Sequence, residues 1–358
     1  MKIIGVEATL LKTRSVMVQI SPAEGIYGIG ECTPMNLEVL AHFVNTALQP
    51  LLIGEDPLEV DKLWNKMLFR TYKLGPHGVQ PGAMAGVDIA LWDILGKFTG
   101  LPIYTLLGGS YRDRIKMYCS IGGGAPMTPD EMVSKVDDAL NAGFRAIKIR
   151  MDWGPHRRDS DPAKDVAMFT AIQKLVGDDL PLSFDANNGY SVSTVIRQGR
   201  QFKAMNIYHF EEPVARYDYT GIKQVADALD VPVSAGEHKY TRWQFRDLIA
   251  QANPDILQPD VVKCGGITEM RKIAVLSDTF PKDFVPHQTQ PTIRTAASLH
   301  IVASIQTANK SQEFTGVRPE LNTIFKEPLE FKDGHITMPT GPGLGLEIDT
   351  DRMKAFAL

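Results

Sequence analysis

Apolar and polar side chains alternate from Ile3 to about residue 20. The alternation stops at Ser21-Pro22-Ala23-Glu24-Gly25, which predicts an antiparallel meander of two or three strands. From Asn36 to Gly100 the spacing lengthens to that of a helix. Leu58, Val60, Leu63, Trp64 and Met67 form one apolar series, and Ala85, Val87, Ile89, Ala90, Trp92 and Leu95 another, closing at Gly100-Leu101-Pro102. Residues 1–115 therefore read as an α+β domain. After them, apolar runs of strand length recur at 116–121, 144–150, 180–187, 207–213, 231–237, 255–262, 283–288 and 311–314, with amphipathic helical stretches between. Strand and helix alternating in this way predict an α/β domain with a parallel sheet, and the number of units suits a closed barrel over 116–325 better than an open doubly wound sheet. Residues 326–358, with Pro339, Pro342 and Gly345, lack the repeat and are expected to return to the first domain.

Composition narrows the class of partner. The 358 residues allow two or three folding units, or one barrel with an attached domain. With 38 basic and 42 acidic residues the net charge is −4, so there is no basic field to hold nucleic acid or acidic lipid, and a small molecule is the expected partner. Lys2, Glu7, Lys12 and Arg14 interrupt any apolar window at the N-terminus, so neither a signal peptide nor a membrane span is expected. Cys32, Cys119 and Cys264 stand far apart with no CxxC pair, which argues against a disulfide framework or thiolate zinc site and for a reducing, cytoplasmic setting.

The ionisable residues give the barrel its chemistry. Asp185, Glu211, Glu237, Asp260, His287 and Glu313 each fall at or near the carboxyl end of an apolar run, at intervals of 26, 26, 23, 27 and 26 residues. In a parallel barrel those ends ring one mouth, so the six side chains are expected to converge. Three carboxylates close together raise one another's pKa unless a cation sits among them, and hard oxygen ligands favour Mg²⁺, with Mn²⁺ able to replace it. Asp185, Glu211 and Glu237 are thus the expected metal ligands. A histidine held by an aspartate on the neighbouring strand has a fixed tautomer and raised basicity, so His287 with Asp260 is the expected acid–base pair. Lys148 and Arg150, two apart on one strand, share a face; Lys148 can balance substrate carboxylate charge, whereas the Arg150 guanidinium stays protonated and cannot act as a base. Glu313 is left with two roles, pairing with Arg150 or donating a hydrogen bond when protonated.

These residues stand in motifs that carry a resemblance. Gly86-Val87-Asp88-Ile89-Ala90-Leu91-Trp92-Asp93, Lys148-x-Arg150, Phe184-Asp185-Ala186-Asn187, Phe210-Glu211-Glu212-Pro213, Ala235-Gly236-Glu237, Gln258-Pro259-Asp260, Gly265-Gly266-Ile267-Thr268 and Pro286-His287, in this order, resemble the mandelate racemase subgroup of the enolase superfamily over essentially the whole chain. The resemblance implies a modified (β/α)7β TIM-like barrel under an N-terminal α+β capping domain, Mg²⁺ on Asp185, Glu211 and Glu237, and abstraction of the proton beside a substrate carboxylate. It also implies a symmetric homo-oligomer. Subgroup members that racemise carry Lys-x-Lys where this chain has Arg150, so His287 is left as the sole base, which suits elimination. The chain is further similar to sugar-acid dehydratases of the galactonate and mannonate type, through its short first loop and Gly266-Ile267-Thr268-Glu269. Those relatives often place a histidine just after the first metal aspartate, where this chain has Ala186-Asn187-Asn188.

The resemblance thus implies a dehydration of an aldonate or aldarate to a 2-keto-3-deoxy acid, with a cycloisomerase or lactone-opening enzyme as alternative and an epimerase third. Asn187, His238 and His77 are the candidate substrate contacts, His77 by reaching down from a cap loop. Glu212 is expected to point away from Glu211 and pair with a basic side chain in the barrel wall, His300 and His209 to be structural, and the insert 151–161 to be a lid or a subunit contact.

Overall fold

The computed structural model describes residues 1–288, 292–316, 318, 321 and 324–358. Strands β1 (Ile3–Leu11), β2 (Ser15–Pro22) and β3 (Gly28–Glu31) pair antiparallel in that order. The first hairpin turns on Arg14, at φ 59, and the turn expected at 21–25 joins β2 to β3. Across β3 lies the Val79–Thr99 helix, buried along most of its length and apolar on nearly every side, as a helix covered all round should be. Its approach to the sheet is backbone to backbone. A Cβ on Gly30 would stand 1.8 Å from the Gly86 carbonyl oxygen, and one on Gly28 2.1 Å from that of Ala90. Only glycine permits that contact.

The second region is a parallel sheet of β4 (Arg114–Ile121), β5 (Ile147–Arg150), β6 (Leu182–Asp185), β7 (Ile207–Glu211), β8 (Val233–Ala235), β9 (Ile256–Leu257) and β10 (Asp283–Phe284), with β11 (Gln312–Phe314) pairing parallel to the free side of β4. Helices Pro129–Asn141, Pro162–Val176, Val192–Ala204, Tyr219–Ala228, Thr241–Gln251, Ile267–Thr279 and Ile293–Ala303 occupy the crossovers. Eight strands and seven helices make the expected (β/α)7β barrel. The strand expected over 255–262 is cut to two residues, because the chain turns into a short helix, Val261–Cys264, whose N-cap is Asp260.

The last stretch divides. β12 (Phe331–Lys332) and β13 (His335–Thr337) form a hairpin that pairs antiparallel with the start of β4, so this part lies on the barrel rather than the cap. Beyond it, Leu344 N–H donates to Asp93 Oδ1 at 2.9 Å and Leu358 N–H to Leu10 O at 2.9 Å. Cap and barrel are joined by buried polar contacts: Trp64 Nε1 donates to Gly265 O at 2.7 Å, Thr268 N–H to Asp88 Oδ2 at 2.9 Å, and Arg294 pairs with Glu31 at 2.7 Å. Among the described residues no helix is long and apolar enough to cross a membrane.

Candidate active site

Strand register builds the mouth. Arg150 is aligned with Asp185 across β5 and β6, and Asp185 with Glu211 across β6 and β7, so the last residues of three strands stand level. Lys148, one layer deeper on β5, is fully buried. Its Nζ lies 2.5 Å from Glu211 Oε2, 2.8 Å from Glu313 Oε1 and 4.0 Å from Asp185 Oδ2. Burial alone would disfavour the ammonium, but Glu211 and Glu313 outweigh it and hold Lys148 protonated. Glu313 therefore takes Lys148, while Arg150, within 4.0 Å of Asp152 among the described residues, stands apart from it. Burial pushes Glu211 up, yet Lys148, with His209 behind it, brings it down to about 2. Asp185 goes the other way: burial raises it, and the charge of Glu211 raises it further.

The dyad is present as a direct contact. His287 Nδ1 stands 2.8 Å from Asp260 Oδ2, and Nε2 faces Glu237 Oε2 at 2.5 Å. Asp260 is aimed by its own role as N-cap, its Oδ1 accepting Val262 N–H at 2.9 Å. Burial opposes charge on His287, but Glu237 prevails and lifts the imidazole to about 10. Glu237 is correspondingly held low against the pull of burial by His287 and Lys263.

Around this centre lie the other candidates. Asn187, at φ 47, donates its N–H and Nδ2 to the two oxygens of Asp185 at 2.8 and 3.1 Å. His238 comes after β8 has ended, past Gly236 at φ 141, so it is not turned away from Glu237; its Nε2 is 2.6 Å from Glu237 Oε1. His77, on the exposed cap loop, meets the Tyr240 ring edge-on at 6.0 Å, which brings the loop to the mouth's rim. His209 Nδ1 bonds Ser183 Oγ at 2.9 Å in the layer beneath Glu211. The insert folds down on the β6 loop, with Asp159 N–H donating to Gly189 O at 2.8 Å and Trp153 Nε1 to Asp165 at 2.9 Å. It forms one wall of a cleft of about 560 Å³ whose floor includes Asn188, Glu212 and His238.

Residues 5–108 match the N-terminal domain of mandelate racemase and muconate lactonizing enzyme, and residues 131–352 match the enolase C-terminal domain-like family. The chain belongs to the mandelate racemase/muconate lactonizing enzyme family. It is similar to the arabinonate dehydratase of Saccharolobus solfataricus, at 32% identity over 93% of this chain and 88% of that protein. A D-galactarolactone cycloisomerase of Agrobacterium fabrum is also 32% identical, over 96% of this chain and 91% of its own length. Among solved structures, a mandelate racemase/muconate lactonizing protein from Paracoccus denitrificans complexed with magnesium superposes with a TM-score of 0.96 at 39% identity, covering 99% of this chain and 97% of that one.

Two residues of this family member's mouth escape the strand-end spacing. Glu212 does not point into the barrel wall. At φ 38 the chain has left the strand, and the carboxylate, 4% exposed, accepts from Asn188 Nδ2 and lies 3.7 Å from His238 Nε2. Among the described residues, Glu212, Glu237 and His238 form a group whose ligand-type atoms all lie within 4.8 Å of one another, while Glu211 is engaged by Lys148 and by Gln258 Nε2 at 2.8 Å. Lys263 is the second, its Nζ 3.8 Å from Asp260 Oδ2 and 4.0 Å from Glu237 Oε2. Its place three residues after Asp260, one helical turn on, is the signal that could have found it. The donor set Asp185, Glu211 and Glu237 is hard oxygen throughout, and the upward push on Asp185 from burial and two neighbouring carboxylates is what a divalent cation would relieve, so these residues fit Mg²⁺.

Proposed function

We propose that the protein is a Mg²⁺-dependent sugar-acid dehydratase, a carbon–oxygen lyase that turns an aldonic or aldaric acid into its 2-keto-3-deoxy acid. The observation that carries this reading is the single dyad, His287 locked by Asp260 at 2.8 Å, with Arg150 in the position a second base would need. Neutral His287 Nε2 takes the C2 proton. The electron pair left behind forms the C2–C3 double bond as the C3–O bond breaks, and the departing hydroxyl leaves as water with the proton that His287 returns. The enol so formed tautomerises to the 2-keto acid. Asp185, Glu211 and Glu237 would hold Mg²⁺, or Mn²⁺ in its place, which when bound supplies positive charge beside the substrate carboxylate and takes up the Glu237 charge that otherwise keeps His287 protonated. Lys148 adds a second, buried positive charge near that carboxylate, fixed by Glu211 and Glu313. Arg150 and Glu313 position the substrate, while Asn187, His238 and His77 contact its hydroxyls. The dehydratase named above supports this reading by its similarity over nearly the full chain.

A second reading, a cycloisomerase expelling a ring oxygen instead of a hydroxyl, is favoured by the equal identity to a galactarolactone cycloisomerase. Incubation with Mg²⁺ and a panel of sugar acids and lactones separates the two. Dehydration gives a keto acid lighter than its substrate by one water, detected by a carbonyl reagent and by mass and abolished in His287→Asn; a ring-opened keto acid of the same mass as the lactone supplied selects the cycloisomerase. No product and no C2-proton exchange in D₂O with any acid would overturn both.

A further inference from the structure

The cleft beside the metal-binding carboxylates holds two groups that the proton transfer does not use. Asn188 is 8% exposed, and its Nδ2 and N–H are spent on Glu212, yet its Oδ1 has no hydrogen-bond partner. A buried acceptor left bare is costly, so this oxygen calls for a donor from whatever occupies the cleft. At the rim stand Arg216 and His156. Among the described residues the Arg216 guanidinium lies within 4.0 Å of no carboxylate, although its carbonyl accepts from Lys239 Nζ at 2.5 Å. The acids on the same wall are engaged: Asp152 takes Gly123 N–H and lies 3.7 Å from Arg150, and Glu212 takes the Asn188 amide. A neighbouring hollow that shares Asn188 and Tyr217 adds Arg158 to the same side.

From floor to rim the cleft thus asks for hydroxyl donors and then for an anion. Its floor starts at His238, 2.6 Å from one Glu237 oxygen, and the other Glu237 oxygen lies 2.5 Å from His287 Nε2, so the cleft begins one carboxylate away from the base. We infer that the substrate is an aldaric acid, a polyhydroxylated chain with a carboxylate at each end, whose far carboxylate is received by Arg216 while a chain hydroxyl donates to Asn188 Oδ1. This rests on the dehydratase reading for the reacting end, but the far end can be tested without turnover.

Calorimetric titration of the His287→Asn protein in Mg²⁺ with six-carbon aldarates and the aldonates of matching configuration reads the far carboxylate directly. At least one aldarate is expected to bind about tenfold or more tighter than its aldonate partner, and Arg216→Ala to lose most of that difference while Arg216→Lys keeps part of it. Equal binding of the two classes, no binding of either, or a preference that Arg216→Ala leaves intact would overturn the inference. Tight, Arg216-dependent aldarate binding together with absence of any turnover in the unsubstituted enzyme would instead sink the dehydratase reading and leave the subsite standing.

Discussion

In the proposed reaction, Arg150 is the residue that sets the stereochemistry. Its guanidinium keeps its proton at any working pH, and the acids around it, Asp152 foremost, raise it further against burial. A carbon acid held between His287 and Arg150 can therefore lose and regain its proton on one face only. In D₂O the substrate is expected to gain deuterium at C2 with its configuration unchanged, and no C2 epimer should accumulate by proton NMR however long the incubation. An epimer growing in at the rate of exchange would require a second base on the face where Arg150 stands. The residues behind this argument were readable from sequence because the parallel register sets strand ends level, so that a 26-residue interval becomes a neighbour in space. Glu212 and Lys263 were not, since period-two reasoning fails where the strand stops: Glu212 is turned by a left-handed backbone and Lys263 by a helical turn.

At the scale of elements, the alternation located the meander that opens the cap and the repeat located the eight parallel strands of the barrel, though not the β12–β13 hairpin, and the backbone-to-backbone approach in the cap had no periodic signature. It depends on Gly28, Gly30 and Gly86, single residues whose missing Cβ lets β3 lie against the Val79–Thr99 helix. In Gly30→Ala the new methyl would stand 1.8 Å from a backbone oxygen, which no rotamer change can relieve, so strand and helix must part. Overpacking of this kind costs about 1–3 kcal/mol, and because a backbone rather than a side chain must give way, the upper end is expected. A lowered urea midpoint with an unchanged slope would register it, whereas a midpoint equal to that of the unsubstituted protein would mean that the sheet absorbs the shift. β9 illustrates the opposite limit of legibility. Its apolar run is eight residues long in sequence and two in the fold, because the Asp260 side chain caps a helix where the hydrophobic pattern still reads as strand.

On the scale of the whole molecule, two of the fully buried titratable groups at the seam where cap, barrel and C-terminal stretch meet pull stability in opposite directions as pH changes. Asp88, on the cap helix, lies against Gly266 and Thr268 of the barrel; burial raises its carboxyl from 3.8 to about 7 despite the hydrogen bonds from Thr268. His300, on a barrel helix, accepts Tyr104 N–H at 3.3 Å through Nδ1 and donates from Nε2 to Leu344 O at 3.1 Å, and burial lowers it from 6.5 to about 4. The sequence placed His300 in the core but carried no sign of Asp88's strain, which exists only once two distant segments close over it. The native state holds Asp88's proton more tightly than the unfolded chain does, so this group's contribution is full below about pH 4 and is lost as pH rises to about 7. His300 is preferred neutral, so its contribution is present above about pH 6.5 and is lost as pH falls to about 4. Between pH 7.5 and 5 each is worth about 2 kcal/mol, in opposite directions. The two therefore nearly cancel, and urea midpoints at these two pH values are expected to report on the balance. Asp88→Asn should make the protein lose stability on acidification, and His300→Gln should make it gain. Identical pH slopes in both variants would mean that neither group titrates across the seam.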